Sequence, residues 1–184
     1  MGKEIIIVTI SLGNDGAERI LTELARQWHH DGHDITVIQT SPNRYGTEYA
    51  LPEGIEQIQI HTTSSNKILR FLQEIKALIG ILKQRPNATC LSFLSASSFI
   101  LAISSWFVKN RMVFSERNNP RKVPVGKHQQ ILRNFAFRFA DAIVFQTEDA
   151  KSYFSKSIQS RGHIIPNPIN GNLPEPYEGE REKI

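Results

Sequence analysis

Ile5-Ile6-Ile7-Val8-Thr9-Ile10-Ser11-Leu12-Gly13-Asn14-Asp15-Gly16-Ala17-Glu18-Arg19 reads as a strand, a tight turn and the start of a helix. Six consecutive apolar or β-branched residues suit a strand covered on both faces, as in a parallel sheet. The turn stands at the carboxyl end of that strand, where open α/β sheets bind their ligands. The first amides of the following helix carry partial positive charge and favour an anion. The turn Gly13-Asn14-Asp15-Gly16 lacks the spacing of a dinucleotide fingerprint and is not followed by the Gly-Lys-Ser/Thr of a phosphate-binding loop. On its own it also fits a plain strand-to-helix connection capped by Asn14 or Asp15.

The alternation continues outward from this stretch. Strand-like runs cover Glu4–Ile10, Ile35–Gln39, Ile55–Thr62, Ala88–Leu94, Arg111–Glu116, Ala142–Gln146 and His163–Ile165. Ala17, Ile20, Leu21, Leu24 and Trp28 form one apolar stripe at helical spacing, with Gly32 placed to end that helix. Ile68, Leu72, Ile75, Ile79 and Leu82 form a second, ended by Pro86. Ile131, Phe135, Phe139 and Ala142 form a third, with Arg133 and Arg138 off its line. Thr147 is placed to cap a helix over Glu148–Lys156. Repeated β-α-β units with right-handed crossovers predict an α/β fold, a Rossmann-like parallel sheet of about seven strands with helices on both faces.

The 184 residues suffice for one core, and 40% hydrophobic and 22% charged residues are ordinary for a globular chain. The single cysteine, Cys90, lies in an apolar run; it reads as a core residue, with a reactive thiol as the alternative. No secretory signal precedes the first strand, and Ile6 occupies the place where myristoylation wants Ser or Thr. These features fit a cytoplasmic setting. Pro86 to Val108 is uncharged and long enough to span a bilayer, but it contains Asn87 and six serines. It divides into a strand-like half and a helix-like half, Ser98–Val108, and reads as a buried strand and helix.

The formal net charge is +4, and eight of the basic residues (Lys109, Arg111, Arg117, Arg121, Lys122, Lys127, Arg133, Arg138) fall between 109 and 140 against one acid, Glu116. Such a segment suggests an anionic partner, a phosphate, a pyrophosphate or an anionic membrane surface; a solvated charged face is the plainer reading. Phe135, Phe137 and Phe139 alternate in a way that suits core packing better than base stacking, so nucleic acid is not expected.

Three further clusters follow strands and open on the same sheet edge. In Ser115-Glu116-Arg117-Asn118-Asn119-Pro120, Arg117 can clamp a phosphate and Glu116 can accept from sugar hydroxyls, or an internal ion pair holds the loop. In Gln146-Thr147-Glu148, helix capping by Thr147 competes with ligand binding. In Ile164-Ile165-Pro166-Asn167-Pro168, the prolines stiffen an exit from the sheet. His29, His30 and His33 suit a solvated helix end, no Cys/His group has zinc spacing, and there is no G-x-S-x-G elbow, so no metal is expected.

Taken together, the glycine turn with Ala17-Glu18-Arg19, Gly32-His33-Asp34-Ile35-Thr36-Val37, Ser115-Glu116-Arg117-Asn118, Gln146-Thr147-Glu148 and Ile165-Pro166-Asn167-Pro168 resemble, in that order, the N-terminal half of retaining glycosyltransferases of family 4. The Ser115–Asn118 version is similar to that of members extending polysaccharides or glycans on a lipid carrier. The resemblance implies one half of a GT-B fold, with residues 1–168 forming a Rossmann-like acceptor-binding domain and 169–184 a linker toward a C-terminal donor-binding domain. It implies that the whole enzyme transfers a hexose from a nucleotide-sugar, a UDP-sugar by expectation, to a glycan or lipid-pyrophosphate-linked acceptor. Asn14, Asp15, Gly16, Glu116, Arg117, Asn118 and Thr147 would bind substrate. No catalytic residue, metal or cofactor is expected in this half, which alone would be inactive. The enzyme would be cytoplasmic, with peripheral contact to the inner membrane face.

Two departures stand out. Asp15 precedes Gly16 where the family commonly pairs glycines, and an aspartate there would crowd a phosphate. The fifth strand ends in Glu116 and Arg117 where the family often places a histidine near the fourth or fifth strand. The alternative function is a stand-alone phosphosugar- or nucleotide-binding module without catalysis.

Overall fold

The computed structural model describes residues 2–13, 16–41, 49–93, 95–122 and 126–167. Seven strands form one sheet: β1 (Glu4–Thr9), β2 (Asp34–Gln39), β3 (Glu56–Gln59), β4 (Thr89–Ser92), β5 (Arg111–Glu116), β6 (Ala142–Phe145) and β7 (Gly162–Ile164). Their order is β3-β2-β1-β4-β5-β6-β7 and every pairing is parallel. The chain steps outward from β1 to β3, returns past β1, and steps the other way from β4 to β7. β1 is therefore central, with Ile5 opposite Ile35 of β2 on one side and opposite Thr89 of β4 on the other. The expected fold class and all seven strands are present, each within a few residues of its expected bounds.

Right-handed crossovers decide which face each helix covers. α1 (Gly16–His30) lies on one face, where Ile20, Leu21 and Ala25 pack with Ile7, Leu12, Ile35, Val37, Leu91 and Phe93. α2 (Lys67–Gln84), α3 (Ser95–Ser104) and α4 (Lys127–Ala136) lie on the other, over Ile6, Val8, Ile38, Met112, Phe114 and Ile143. Ile6 and Val8 serve one core and Ile7 the other, which is why the first strand has no polar alternation. α1 ends where expected: Gly32 has a φ of +83°, and the amides of Gly32 and His33 donate to the carbonyls of His29 and Trp28 at 3.0 Å each. This is the paired closure that a left-handed glycine permits.

Pro86–Val108 divides into β4 and α3 as expected, and no helix among the described residues is long and apolar enough to cross a membrane. The single helix expected over Glu148–Lys156 is instead two, α5 (Glu148–Ser152) and α6 (Lys156–Gln159). The break lets Phe154 turn inward against Phe137 and Phe145. Two apolar stripes also sit differently from their expected faces. In α2 the inward residues are Ile75, Leu78 and Leu82, while Ile68, at 71% exposure, and Leu72 face solvent. In α4 the inward residues are Arg133 and Ala136, followed by Phe137, while Ile131 is 65% exposed. The expected linker, 169–184, lies outside the described residues.

Cys90 is fully buried, and burial, with a smaller contribution from Glu4, pushes its thiol up to about 12. The core reading applies, because a thiol so protonated is a poor nucleophile. A disulfide reagent at neutral pH is expected to label no cysteine in the folded chain and one equivalent in denaturant.

Candidate functional site

The strands of a parallel sheet all deliver their carboxyl ends to one edge, so residues that follow them in sequence meet there. Gly16, Ala17 and Ile20 of α1, Arg117 and Asn118 after β5, Gln146 after β6 and Asn167 after β7 line a cleft of about 450 Å³ on that edge. Three expected site residues, Gly16, Arg117 and Asn118, are thus brought together from segments a hundred residues apart. Asn14 and Asp15 lie outside the described residues.

Arg117 is the charged side chain among those lining residues. Its guanidinium sits over the Phe93 ring, 4.9 Å from the centroid, and its Nε and Nη2 make no hydrogen bond among the described residues. Burial lowers its pKa from the ordinary arginine value, the direction that desolvation gives a cation. An arginine remains charged after such a shift. A cation partly removed from water, with two buried donors unused, favours an anionic ligand, since a charge-assisted hydrogen bond is about twice as strong as a neutral one. The amino terminus of α1 at Gly16 adds its partial positive charge to the same cleft.

Glu116 is placed otherwise than as a lining residue. Glu116 and Arg133 are each only 3% exposed, and Arg133 Nη1 donates to Glu116 Oε2 at 3.5 Å. Glu116 Oε1 accepts from the Asn118 amide at 3.1 Å. The Arg133 guanidinium also lies 4.8 Å from the Phe154 ring centroid and 5.4 Å from that of Tyr153. Of the two adjacent charged residues, Glu116 therefore folds inward to hold the loop and Arg117 faces the cleft.

Thr147 stands beside the cleft residue Gln146 and caps α5, its Oγ1 accepting from the Ala150 amide at 3.1 Å. Gln146 and Asn167 were not expected as site residues, although both lie in the clusters read from the sequence. Gln146 Nε2 donates to Asn167 Oδ1 at 3.3 Å, so the two amides brace each other across the cleft wall. Their signal was position, since each follows a strand. Under the β1–α1 connection, Ser11 Oγ donates to Glu18 Oε1 at 3.0 Å, and a Cβ on Gly13 would come within 3.1 Å of Glu18 Oε2. Glycine at 13 therefore lets that buried carboxylate lie against the loop.

The basic segment does not form one patch. Lys109 and Arg111 stand at the opposite sheet edge, Arg133 is consumed inside, and Arg121 pairs with Asp149 at 3.2 Å. No group of three or more His, Cys, Asp or Glu able to hold a metal occurs among the described residues. A second cleft, about 650 Å³, lies at the far end of α1 between Arg26, His29 and Leu51, away from the strand ends.

The sequence profile described as Glycosyltransferase Family 4 matches residues 14–172. A search of curated proteins gave no match. Among solved structures, HepE of Anabaena in complex with UDP has a TM-score of 0.71 at 16% identity, over 91% of this chain and 44% of that one. The apo form of the lipopolysaccharide outer core galactosyltransferase WaaB also gives 0.71, at 13% identity, over 98% and 50%. UDP-GlcNAc 2-epimerase from Methanocaldococcus jannaschii gives 0.63 at 13% identity, over 91% and 46%. The chain spans about half the length of these structures. At such identities the likeness concerns the fold, and an epimerase among them illustrates that the fold alone does not select a reaction.

Replacing Glu116 by Gln strands the buried Arg133 cation, and the urea midpoint is expected to fall by the equivalent of about 3 kcal/mol with little change in slope. The double variant Glu116→Leu with Arg133→Met is expected to lose less than the single one, which a double-mutant cycle reads directly.

Proposed function

The chain belongs to glycosyltransferase family 4, and on that premise we propose that it is the acceptor-binding half of a retaining enzyme that moves a hexose from a UDP-sugar to a glycan or lipid-pyrophosphate-linked acceptor. Residues 1–168 form this half on our reading, and 169–184 lead to a C-terminal donor-binding half. The new bond joins the acceptor oxygen to the anomeric carbon of the donor, the bond from that carbon to the nucleotide diphosphate breaks, and the acceptor proton leaves. Most groups for that step belong to the other half. UDP in the Anabaena structure supports the choice of donor, and the galactosyltransferase WaaB supports a polysaccharide context.

The observation that carries the reading is the Arg117 guanidinium, partly desolvated and with unused donors in a cleft at the carboxyl edge of the sheet. In this role Arg117 clamps an acceptor phosphate, the start of α1 adds its dipole, and Asn118, Gln146 and Asn167 offer amides to sugar hydroxyls. Asn14 and Asp15 would complete the loop beside Gly16, and Thr147 would act through the placement of Gln146. Glu116 would act by fixing the loop. The enzyme would work in the cytoplasm, peripheral to the inner membrane face.

Calorimetry tests this with two probes. Inorganic pyrophosphate is expected to bind, and Arg117→Met is expected to weaken it about tenfold or more, as for a lost charged hydrogen bond, while the urea midpoint stays nearly constant. UDP-glucose is expected to bind weakly or not at all. Tight UDP-glucose binding by this chain alone would favour the self-sufficient binding module instead, and pyrophosphate binding indifferent to Arg117 would overturn the assignment of the cleft.

A further inference from the structure

An acid in the first turn of a helix ordinarily stands in water, where it answers the partial positive charge of the helix end. Glu18 of α1 does not. It is 5% exposed and shares the buried side of the helix with Leu21, Thr22 and Ala25. Burying an acid costs free energy unless hydrogen bonds replace the lost water, and an apolar residue in its place would bear no such cost. The contacts that offset this burial therefore indicate what the side chain does.

Two of those contacts run upstream, into the connection that leaves β1. Glu18 Oε1 accepts from the Ser11 hydroxyl at 3.0 Å, seven positions earlier, and Oε2 lies where a Cβ on Gly13 would come within 3.1 Å. Other groups hold the same connection. Thr9 Oγ1 donates to the Ser11 carbonyl at 3.1 Å, Leu12 is fully buried, and the Leu12 carbonyl accepts from the Tyr49 amide at 3.2 Å. Among these groups Glu18 is the one that belongs to α1, so it ties the end of the strand to the start of the helix. Gly16 and Ala17 of that first turn line the cleft, while Glu18 is not among its described lining residues. Leu12, Leu21 and Phe93 share one apolar cluster, and the Phe93 ring carries the Arg117 guanidinium. A shift of the connection would therefore be felt on both walls of the cleft.

We propose that Glu18 is a positioning residue of the cleft: its buried carboxyl group reaches from α1 to Ser11 and Gly13 and sets where Gly16 and Ala17 stand relative to Arg117. Its predicted effect on affinity rests on the preceding reading of the cleft as an anion site; the tie itself does not.

Pyrophosphate calorimetry and amide hydrogen exchange on the full chain test the assignment. Glu18→Ala is expected to weaken pyrophosphate binding about fivefold or more, as for the loss of one supporting hydrogen bond. Glu18→Gln, which keeps the length and an oxygen for Ser11, is expected to retain most of the affinity. Charge alone predicts otherwise: both substitutions remove an acid near an anion, so both would tighten binding and to the same extent. Ser11→Ala, a milder change that leaves the acid in place, is expected to weaken binding in the same direction as Glu18→Ala. Thr22→Val removes the bond from the Thr22 hydroxyl to the Glu18 carbonyl, and is expected to lower the urea midpoint with no change in affinity, which separates lost stability from lost position. Without ligand, exchange at the Leu12 and Gly13 amides is expected to quicken in Glu18→Ala and Ser11→Ala but not in Thr22→Val. Equal effects of Glu18→Ala and Glu18→Gln, or unchanged exchange at Leu12 and Gly13, overturn the proposal. A parent chain that ignores pyrophosphate while Glu18→Ala still quickens that exchange upholds the tie and overturns the anion reading of the cleft instead.

Discussion

The buried pair between Glu116 and Arg133 constrains more of this molecule than any other single contact. It joins the last residue of β5 to the middle of α4, two segments that a crossover must bring together, and both partners are almost fully removed from water. Breaking such a pair is costly because it leaves a charge in the interior. The pair holds Glu116 inward, so its neighbour Arg117 is directed to the cleft. It also fixes the rotation of α4 about its axis. With Arg133 turned to the sheet, Ile131, on the opposite side of that helix, is carried outward. The placement of Arg117 at the cleft and the exposure of Ile131 are thus two results of one burial.

Most of the scaffold was legible in the sequence for a plain reason. Buried parallel strands are apolar on both faces, so Ile5–Ile10 and its counterparts stand out without any partner being known. Gly32 announced the end of α1 because left-handed backbone is cheap for glycine. The rotation of α4 was not legible. Periodicity assigns an arginine to solvent, and only the acid at the end of β5, 17 positions earlier, explains why this one goes in. The break between α5 and α6 was hidden likewise, since it serves Phe154, whose partners Phe137 and Phe145 lie on other elements.

The site was legible in outline. The rule that carboxyl ends of parallel strands share an edge was enough to group the loops after β1, β5, β6 and β7. It did not say which side chain in each loop faces inward. Arg117 and Asn118 do, Glu116 does not, and Gln146 rather than Thr147 reaches the cleft. Those choices depend on pairing and capping between elements. The family match supplies membership in glycosyltransferase family 4 and the strands supply a Rossmann-like parallel sheet, while the chemistry of the cleft supplies only a preference for negative charge.

The central position of β1 also bears on how the chain reaches this state. β1 must wait for β4, more than 80 residues later, before its second edge is hydrogen-bonded. At a synthesis rate of roughly 5–20 residues per second, that leaves Ile5–Val8 with an open edge for on the order of 4–16 seconds. An apolar strand edge exposed for so long is a site for pairing with another nascent chain. The element at the centre of the finished sheet is therefore the described strand whose second partner arrives latest after its own synthesis.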